Sequence, residues 1–231
     1  MLQDVSTIRS DIPPGSDLPN DLQPDVWGTM VHGMMEEYAK STEDINEYLA
    51  NEYNGNILAE LQDIIEKIDH SGIPTLLDDS IETLPEFELT AYHEPTGTYV
   101  RGTIDLLVKN GDGWHVIDYK TGRVPDGEYM AGTYRYQVNA YAWLLEQTYG
   151  VTPESIQLLY LHPNLKSTEV TPNPHVFEDE LGQLNQSMNL VQNEGLETRP
   201  DPSPVEISNP DLTTRCGTCA YRDLCPEWSG Q

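Results

Sequence analysis

The first part of the chain alternates apolar and polar residues with the period of a helix. Apolar residues follow Asp25 every three or four positions: Val26, Met30, Val31, Met34, Met35 and Tyr38. This spacing predicts an amphipathic helix with Asp25 as its N-cap. A second apolar stripe predicts a helix over about 42–69, which Asn54-Gly55 interrupts and which Gly72 and Pro74 end.

The period then shortens to the two-residue alternation of strands. Strands are predicted over 86–92, 98–108 and 114–119. The last two are joined by Asn110-Gly111-Asp112-Gly113, which is a strong hairpin signal. After a loop at 124–133, the pattern predicts four further elements: a helix over 134–149 closed by Gly150, a strand over 156–161, a strand-like segment at 168–177 and a helix over 178–194.

This order of elements predicts an α/β (α+β) domain, with a central mixed sheet flanked by helices. We expect three regions: an N-terminal loop or remnant of an upstream region at 1–24, the folded domain at 25–197, and a proline-rich tail at 198–231 that carries all the cysteines.

Charge complicates the choice of partner. The chain of 231 residues has 12 Lys+Arg against 39 Asp+Glu, a formal net charge of −27. Such acidity normally argues against nucleic acid, because phosphates repel carboxylates. Its 4 Trp and 13 Tyr argue against a disordered acidic protein. The alternative is a halophilic cytoplasm, where the Debye length falls to about 3 Å and an acidic surface favours solubility. Net charge therefore does not select the partner.

Targeting signals are not evident. The chain has no apolar run of the ~18 residues that a membrane span needs, and residues 1–24 lack the basic-then-apolar order of a secretory signal. We therefore expect a cytoplasmic protein without a membrane partner.

Charged residues concentrate at the central hairpin. Asp105 lies on one strand, and Asp118 and Lys120 end the next, so antiparallel pairing brings two carboxylates and one ammonium together. Adjacent carboxylates favour a cation, and Mg²⁺ or Mn²⁺ suits hard oxygen ligands. Such an ion with a neighbouring lysine is the minimum set for phosphodiester hydrolysis. The alternative is a salt bridge between Asp105 and Lys120 beside a solvated Asp118.

Four linked motifs favour the first interpretation: Gly28-Thr29-Met30-Val31-His32, Gly102-Thr103-Ile104-Asp105, Ile117-Asp118-Tyr119-Lys120-Thr121-Gly122 and Gln137-Val138-Asn139-Ala140-Tyr141. In this order they resemble the RecB-like branch of the PD-(D/E)XK nuclease superfamily, over roughly 25–165. The resemblance implies a restriction-endonuclease-like core.

The resemblance also implies roles for single residues. His32, Asp105, Asp118 and the backbone carbonyl of Tyr119 would hold the metal ion, and Lys120 would orient the attacking water. Gln137 and Tyr141, one helical turn apart, would approach the site or the DNA. Glu88, on the preceding strand, is a further candidate.

The tail holds a second constellation. Cys216, Cys219 and Cys225 have the spacing Cys-x₂-Cys-x₅-Cys, which is typical of zinc or iron–sulfur ligands. It resembles the C-terminal part of the iron–sulfur staple of AddB-type and CRISPR-adaptation nucleases, where a fourth cysteine precedes the core. Here no cysteine precedes Cys216.

Three explanations for the missing ligand stay open. The fourth cysteine belongs to a longer or split polypeptide and completes a [4Fe–4S] cluster. A non-cysteine ligand such as His175 completes the site, for example as a zinc site. Or the thiols are free.

We therefore expect a Mg²⁺- or Mn²⁺-dependent deoxyribonuclease, an exonuclease rather than an endonuclease, that acts on single-stranded DNA or DNA ends. It would serve DNA repair with a helicase partner, since the chain has no P-loop. Two alternatives are a non-catalytic DNA-binding or assembly subunit of a repair complex and a nuclease that processes CRISPR spacers. DNA binding predicts that Lys120, Arg101, Arg123 and Arg135 form a local positive patch.

Overall fold

A computed structural model describes residues 2–4, 22–122 and 134–182. The chain divides into two units, Met1–Leu184 and Asn185–Gln231, and every described residue lies in the first. The helices are α1 (Pro24–Lys40), α2 (Ile45–Glu52), α3 (Gly55–Asp69), α4 (Ile73–Asp78), α5 (Arg135–Tyr149) and α6 (174–182). The strands are β1 (Leu2–Asp4), β2 (Glu82–His93), β3 (Thr98–Lys109), β4 (Trp114–Lys120), β5 (Ser155–Tyr160) and β6 (Lys166–Val170).

The strands form one mixed sheet, as predicted. Its order is β1-β3-β4-β5-β6, with β2 along the other side of β3. β2 and β3 form a long antiparallel hairpin, β3 and β4 a shorter one, and β4 and β5 run parallel. Because β1 and β4 pair with different halves of β3, residues 102–105 of β3 have neither strand beside them.

Helices cover both faces of this sheet and divide the core in two. On the α1 face, side chains of α1, α2 and α3 pack against Leu106, Val108 and Ile117. On the α5 face, α5 and α6 pack against Leu107, Val116 and Ile156. Neighbouring strand residues thus point to opposite faces and are buried on both, as in a strand covered by helices on each side.

Several element boundaries differ from the prediction. α1 begins at Pro24 with Gln23 at the N-cap, so the prediction of Asp25 as the cap was wrong; proline at the first helical position already has helical φ. For the same reason Pro74 opens α4 instead of ending the preceding region. The predicted break at Asn54-Gly55 is confirmed, with Gly55 at φ +59°.

The second half of the chain shows smaller differences. β6 ends at Val170, and α6 begins at 174, earlier than the predicted 178. β1 lies inside the segment that was predicted as a loop. Within the described ranges, no helix has both the length and the apolar character needed to cross a membrane.

Candidate active site and metal centre

The site forms where β3 and β4 separate. Their register pairs Leu106 with Ile117, and its continuation would pair Asp105 with Asp118, but the ladder ends at Leu106. The Tyr119 N–H, freed from the ladder, instead donates a hydrogen bond of 2.6 Å to Asp105 Oδ2. A carboxylate therefore replaces the missing backbone acceptor and is held in the gap between the strands.

At the same level, β2 and β3 exchange the faces toward which their side chains point. In β2, Leu84 and Phe87 both pack on the α5 face although they are three residues apart. In β3, Ile104 and Leu107 do the same. Regular alternation would place such pairs on opposite faces, so each strand shifts phase by one residue at this level.

Glu86 lies at the centre of this shift. The register places it opposite Asp105, between the pairs Pro85–Leu106 and Phe87–Ile104. Its φ of +47° is the one positive value for a non-glycine residue in the described part of the chain. A strained, non-glycine backbone at one point of a strand is often associated with function. Here it directs the Glu86 carboxylate to the α1 face, beside Asp105.

Helix α1 supplies the third group. A Cβ placed on Gly28 would lie 3.7 Å from Thr121 Oγ1, so α1 passes close to the end of β4 at this glycine. His32, one helical turn later, points to the strand gap, and its ring meets that of Tyr119 edge-on at 5.9 Å. The Gly-x₃-His spacing therefore combines a close helix–strand approach with a side chain that reaches Asp105.

His32, Glu86 and Asp105 form a cluster that suits a cation. His32 Nδ1 lies 3.5 Å from Asp105 Oδ1 and 3.6 Å from Glu86 Oε1, and one ligand atom from each residue lies within 4.8 Å of the others. Two carboxylates and an imidazole are ligands that Mg²⁺, Mn²⁺ and related divalent ions accept. The donor set and its spacing therefore fit a divalent metal ion.

The electrostatics of the cluster favour positive charge. Burial by itself lowers the pKa of His32, but Asp105, Glu86 and Asp118 together raise that pKa to about 9. Burial, followed by repulsion from Asp118, raises the pKa of Asp105, while His32, Lys120 and the Tyr119 N–H oppose this rise. A group of carboxylates that shifts its own pKa values upward is stabilised by a bound cation.

On the α5 face of the same gap lies a buried polar chain. Lys120 Nζ is 2.5 Å from Asp118 Oδ2, and these two side chains are 6% and 1% exposed. Lys120 also donates a hydrogen bond of 3.0 Å to Gln137 Oε1, and Gln137 Nε2 donates one of 2.9 Å to the Tyr141 hydroxyl. Burial, then Asp118 and Asp105, raise the pKa of Tyr141 well above its usual value, so its hydroxyl stays protonated.

The ammonium group of Lys120 also has an aromatic neighbour. Nζ lies 4.6 Å from the centre of the Tyr134 ring, which in turn meets Tyr160 edge-on at 6.4 Å. A ring face attracts a cation, more strongly when water is excluded. Among the described residues no donor aligns with Asp118 Oδ2, so its charge is balanced by the Lys120 ion pair.

The structure thus brings the predicted residues together in two groups. His32 and Asp105 join Glu86 on the α1 face, where Tyr119 holds Asp105. Asp118, Lys120, Gln137 and Tyr141 form the chain on the α5 face.

The prediction missed Glu86 and named Glu88. Glu88 lies further along β2, opposite Thr103, where it is exposed and pairs with Arg101. Strand alternation places both glutamates on one face, and so the sequence offered no signal that distinguishes them. The salt-bridge alternative is also wrong in its partner, since Lys120 pairs with a buried Asp118.

The remaining predicted residues lie elsewhere or outside the described ranges. Arg135 is exposed at the start of α5, and His175 is an exposed residue of α6 beside Glu178. Arg123 and the cysteine site of Cys216, Cys219 and Cys225 lie outside the described residues.

Comparisons with known proteins agree with this geometry. The sequence profile described as the PD-(D/E)XK nuclease superfamily matches residues 5–226. One of the two chains of an ATP-dependent helicase/nuclease from Pelotomaculum thermopropionicum is 39% identical over 69 residues, which are 29% of this chain and 5% of that protein. The chain therefore spans only a small part of that relative.

Two solved structures are similar at low sequence identity. The crystal structure of SSO0001 matches with a TM-score of 0.43 and 18% identity, over 88% of this chain and 86% of that one. A candidate exonuclease from Eubacterium rectale matches with a TM-score of 0.48 and 12% identity, over 85% and 81% of the two chains.

The profile match extends over nearly the whole chain, and the mixed sheet flanked by helices is the restriction-endonuclease-like core that the motifs implied. The chain belongs to the PD-(D/E)XK nuclease superfamily.

Proposed function

We propose that this protein is a DNA nuclease that hydrolyses phosphodiester bonds with Mg²⁺ or Mn²⁺. The observation that carries the proposal is the cluster of His32, Glu86 and Asp105, with ligand atoms within 4.8 Å of one another, beside the buried Asp118–Lys120 pair. A hydrolytic site needs both a cation to act on the phosphoryl group and a fixed positive charge for the transition state.

His32, Glu86 and Asp105 would hold the ion. When bound, such an ion polarises a phosphoryl oxygen and lowers the pKa of a coordinated water. Tyr119 contributes by fixing Asp105 through its backbone N–H. Asp118 contributes negative charge to the same place, since it raises the pKa of both His32 and Asp105. Asp118 and the Tyr119 carbonyl remain additional ligand candidates from the resemblance.

Lys120 would act on the reacting group through its charge. Its ammonium is held by Asp118, Gln137 and the Tyr134 ring, so little side-chain freedom remains to be lost during the reaction. In this position it can orient the attacking water and stabilise negative charge on the phosphoryl oxygens.

Gln137 and Tyr141 would position Lys120. Both are buried, and each uses a side-chain hydrogen bond within the chain that ends at Lys120. Because the Tyr141 hydroxyl accepts from Gln137 Nε2, the amide is oriented with its oxygen toward Lys120. We therefore assign them to the positioning of the lysine and not to direct contact with DNA.

The cellular role is proposed at a coarser level. The Pelotomaculum thermopropionicum relative is named as part of a helicase/nuclease, and 69 residues of it match this chain. This supports work with a helicase in DNA repair, on single-stranded DNA or on ends. Exonuclease action on linear DNA follows from such a role.

The test is cleavage of linear and circular DNA with Mg²⁺, with Mn²⁺ and with excess chelator. We expect linear DNA to be degraded only with a divalent ion, and Lys120→Ala to lower the rate about 100-fold or more. Lys40→Ala is the matched control, because Lys40 is an exposed lysine paired with Glu36 and Glu37. If Lys120→Ala cleaves as fast as Lys40→Ala, the site assignment is wrong. DNA binding without cleavage would favour the non-catalytic role.

The same assay tests the origin of the acidity. With a net charge of −27, a protein of a high-salt cytoplasm is expected to gain thermal stability and activity as KCl rises toward molar concentrations, because salt screens repulsion between carboxylates. Loss of stability over that range would contradict the proposal of a halophilic origin.

A further inference from the structure

The β2–β3 hairpin continues past the site with one face uncovered. On its α5 face, Leu89, Val100 and Ile104 are buried in the core. On its other face, the register places three side-chain pairs beyond Glu86 and Asp105: Glu88 with Thr103, Thr90 with Arg101, and Tyr92 with Tyr99. These pairs lie on the same face as the cluster that we assign to the metal ion, since alternate residues share a face.

Two large aromatic side chains lie at the end of this row. Tyr92 and Tyr99 are 48% and 53% exposed, although aromatic residues of this size normally bury most of their surface. Their rings are 4.9 Å apart at an angle of 49°, so they form one apolar surface. Each ring also supports the other, which limits the side-chain freedom that binding would remove.

A single cation lies between the tyrosines and the site within this row. Arg101 is two residues from Tyr99 on β3, and its guanidinium contacts the Glu88 carboxylate. We call Tyr92, Tyr99 and Arg101 the tyrosine platform.

We propose that the tyrosine platform binds single-stranded DNA and guides it to the cluster of His32, Glu86 and Asp105. Aromatic rings that stack on bases, next to a cation for the phosphates, are the general means of binding single strands without sequence preference. In a duplex the base faces are already stacked on one another, so the platform selects single strands or frayed ends. This inference rests on the proposed nuclease function and specifies its substrate.

Geometry sets the length of strand that the platform needs. Six residues of β3 separate Asp105 from Tyr99, which is about 20 Å at the rise of a strand. A DNA strand with the B-form rise of about 3.4 Å needs about six nucleotides for this distance. Only oligonucleotides longer than that contact the platform and the cluster together.

The test is binding of labelled oligothymidylates of about twelve and about three nucleotides, followed by fluorescence anisotropy with Ca²⁺ present. We expect the double variant Tyr92→Ala, Tyr99→Ala to bind the long strand about tenfold more weakly, and the short strand as wild type does. Phenylalanine at both positions retains the ring and preserves binding. The matched control is Tyr149→Ala, a tyrosine that is 50% exposed on the α5 face and contacts Trp114.

Two further measurements separate stacking from charge. An abasic strand of the same length has phosphates but no bases, so the tyrosine substitutions should not change its binding. Glu88→Gln removes the carboxylate that pairs with Arg101 and should strengthen binding of both kinds of long strand severalfold.

The outcomes decide the inference independently of the nuclease function. Equal binding of the long strand by wild type and the double alanine variant overturns it, as does an equal loss on abasic DNA or on short strands. A platform that captures only protein surfaces also overturns it. If tyrosine-dependent binding is found but no metal-dependent cleavage, the platform stands and the nuclease function falls. Cleavage that needs Lys120 but is indifferent to both tyrosines has the opposite meaning.

Discussion

The two faces of the strand gap carry opposite kinds of charge in different environments. On the α1 face, the carboxylates of Glu86 and Asp105 surround His32, and the side chains of His32 and Glu86 are 32% and 35% exposed. On the α5 face, Lys120 and Asp118 are almost completely buried in a chain of hydrogen bonds. The first group is accessible to an ion and to a phosphate, whereas the second is protected from solvent.

This difference shows how one break in a sheet can serve two purposes. Ligands must exchange water for a metal ion, which needs access. A lysine that stabilises a transition state must be fixed in place and poorly solvated, because its charge then acts more strongly. Because neighbouring residues of β4 point to opposite faces, Tyr119 faces His32 while Asp118 and Lys120 face α5.

Breaking the buried ion pair should have the largest effect. Lys120→Met leaves the Asp118 carboxylate buried without a counter-charge, and we expect a loss of about 3–5 kcal/mol in the free energy of unfolding together with the loss of activity. The double variant Asp118→Leu, Lys120→Met should recover most of the stability but no activity. Denaturant unfolding measures the first effect and DNA cleavage the second.

The control for that comparison is Lys40→Met, which breaks an exposed ion pair and should cost at most about 1 kcal/mol. Equal destabilisation by Lys40→Met and Lys120→Met would show that the α5 face is not protected from solvent as described.

Removing one ligand from the accessible face should weaken metal binding without unfolding the protein. Glu86→Gln removes a carboxylate of the cluster, and we expect the affinity for Mn²⁺ to fall about 10–100-fold, as measured by titration calorimetry. Glu82→Gln, an exposed glutamate at the start of the same strand, is the matched control. Wild-type affinity in Glu86→Gln would remove this residue from the ligand set.

The pH dependence of metal binding should distinguish the faces next. A metal ion binds neutral imidazole, and the pKa of His32 is raised to about 9, so protons compete with the ion below that pH. We expect Mn²⁺ affinity to fall by up to about tenfold for each pH unit below 9. In His32→Asn this part of the dependence should be absent.

Stability in the presence of chelator should change in the opposite sense. The pKa of His32 is raised to about 9 in the folded protein, from the ordinary histidine value of 6.5 in an unfolded chain. Its stabilising contribution is therefore complete below about pH 6.5 and is lost as pH rises toward 9. The raised pKa of Asp105 acts in the same direction. A free energy of unfolding that increases from pH 6.5 to 9 would contradict the charge arrangement of the cluster.

The smallest effect should come from the far end of the buried chain. Tyr141→Phe removes the acceptor of Gln137 Nε2 and leaves a buried donor without a partner, which costs about 1–3 kcal/mol. Activity should fall only a few-fold, because Gln137 Oε1 still accepts from Lys120. Tyr149→Phe, at an exposed tyrosine of the same helix, should change neither quantity. A loss of activity as large as that of Lys120→Met would place Tyr141 at the reacting group.

Local patterns predicted those parts of the site that depend on neighbouring residues. The spacing of Gly28 and His32, of Asp118 and Lys120, and of Gln137 and Tyr141 lies within single elements, and each pair does share a face. The α+β class followed from the order of the elements for the same reason. Predictions at element ends were weaker, because caps and first-turn prolines such as Pro24 and Pro74 fit more than one boundary.

Partner choice between elements was not predictable in the same way. Glu86 and Glu88 are equivalent in strand alternation, and Asp105 and Asp118 are equivalent partners for Lys120 on the sequence alone. The phase shift at Glu86 and the end of the β3–β4 ladder at Leu106 made the distinction.

The amino-acid sequence by itself therefore determined the elements, the chemical groups that they carry and the face on which each group lies, because these depend on the short periods of helix and strand. Only the tertiary structure decided that His32, Glu86 and Asp105 meet on one side of the gap while Asp118 and Lys120 pair on the other. The physical reason is that two strands part at one backbone position, and hydrogen bonds and charges are then satisfied by whichever groups lie next to that break.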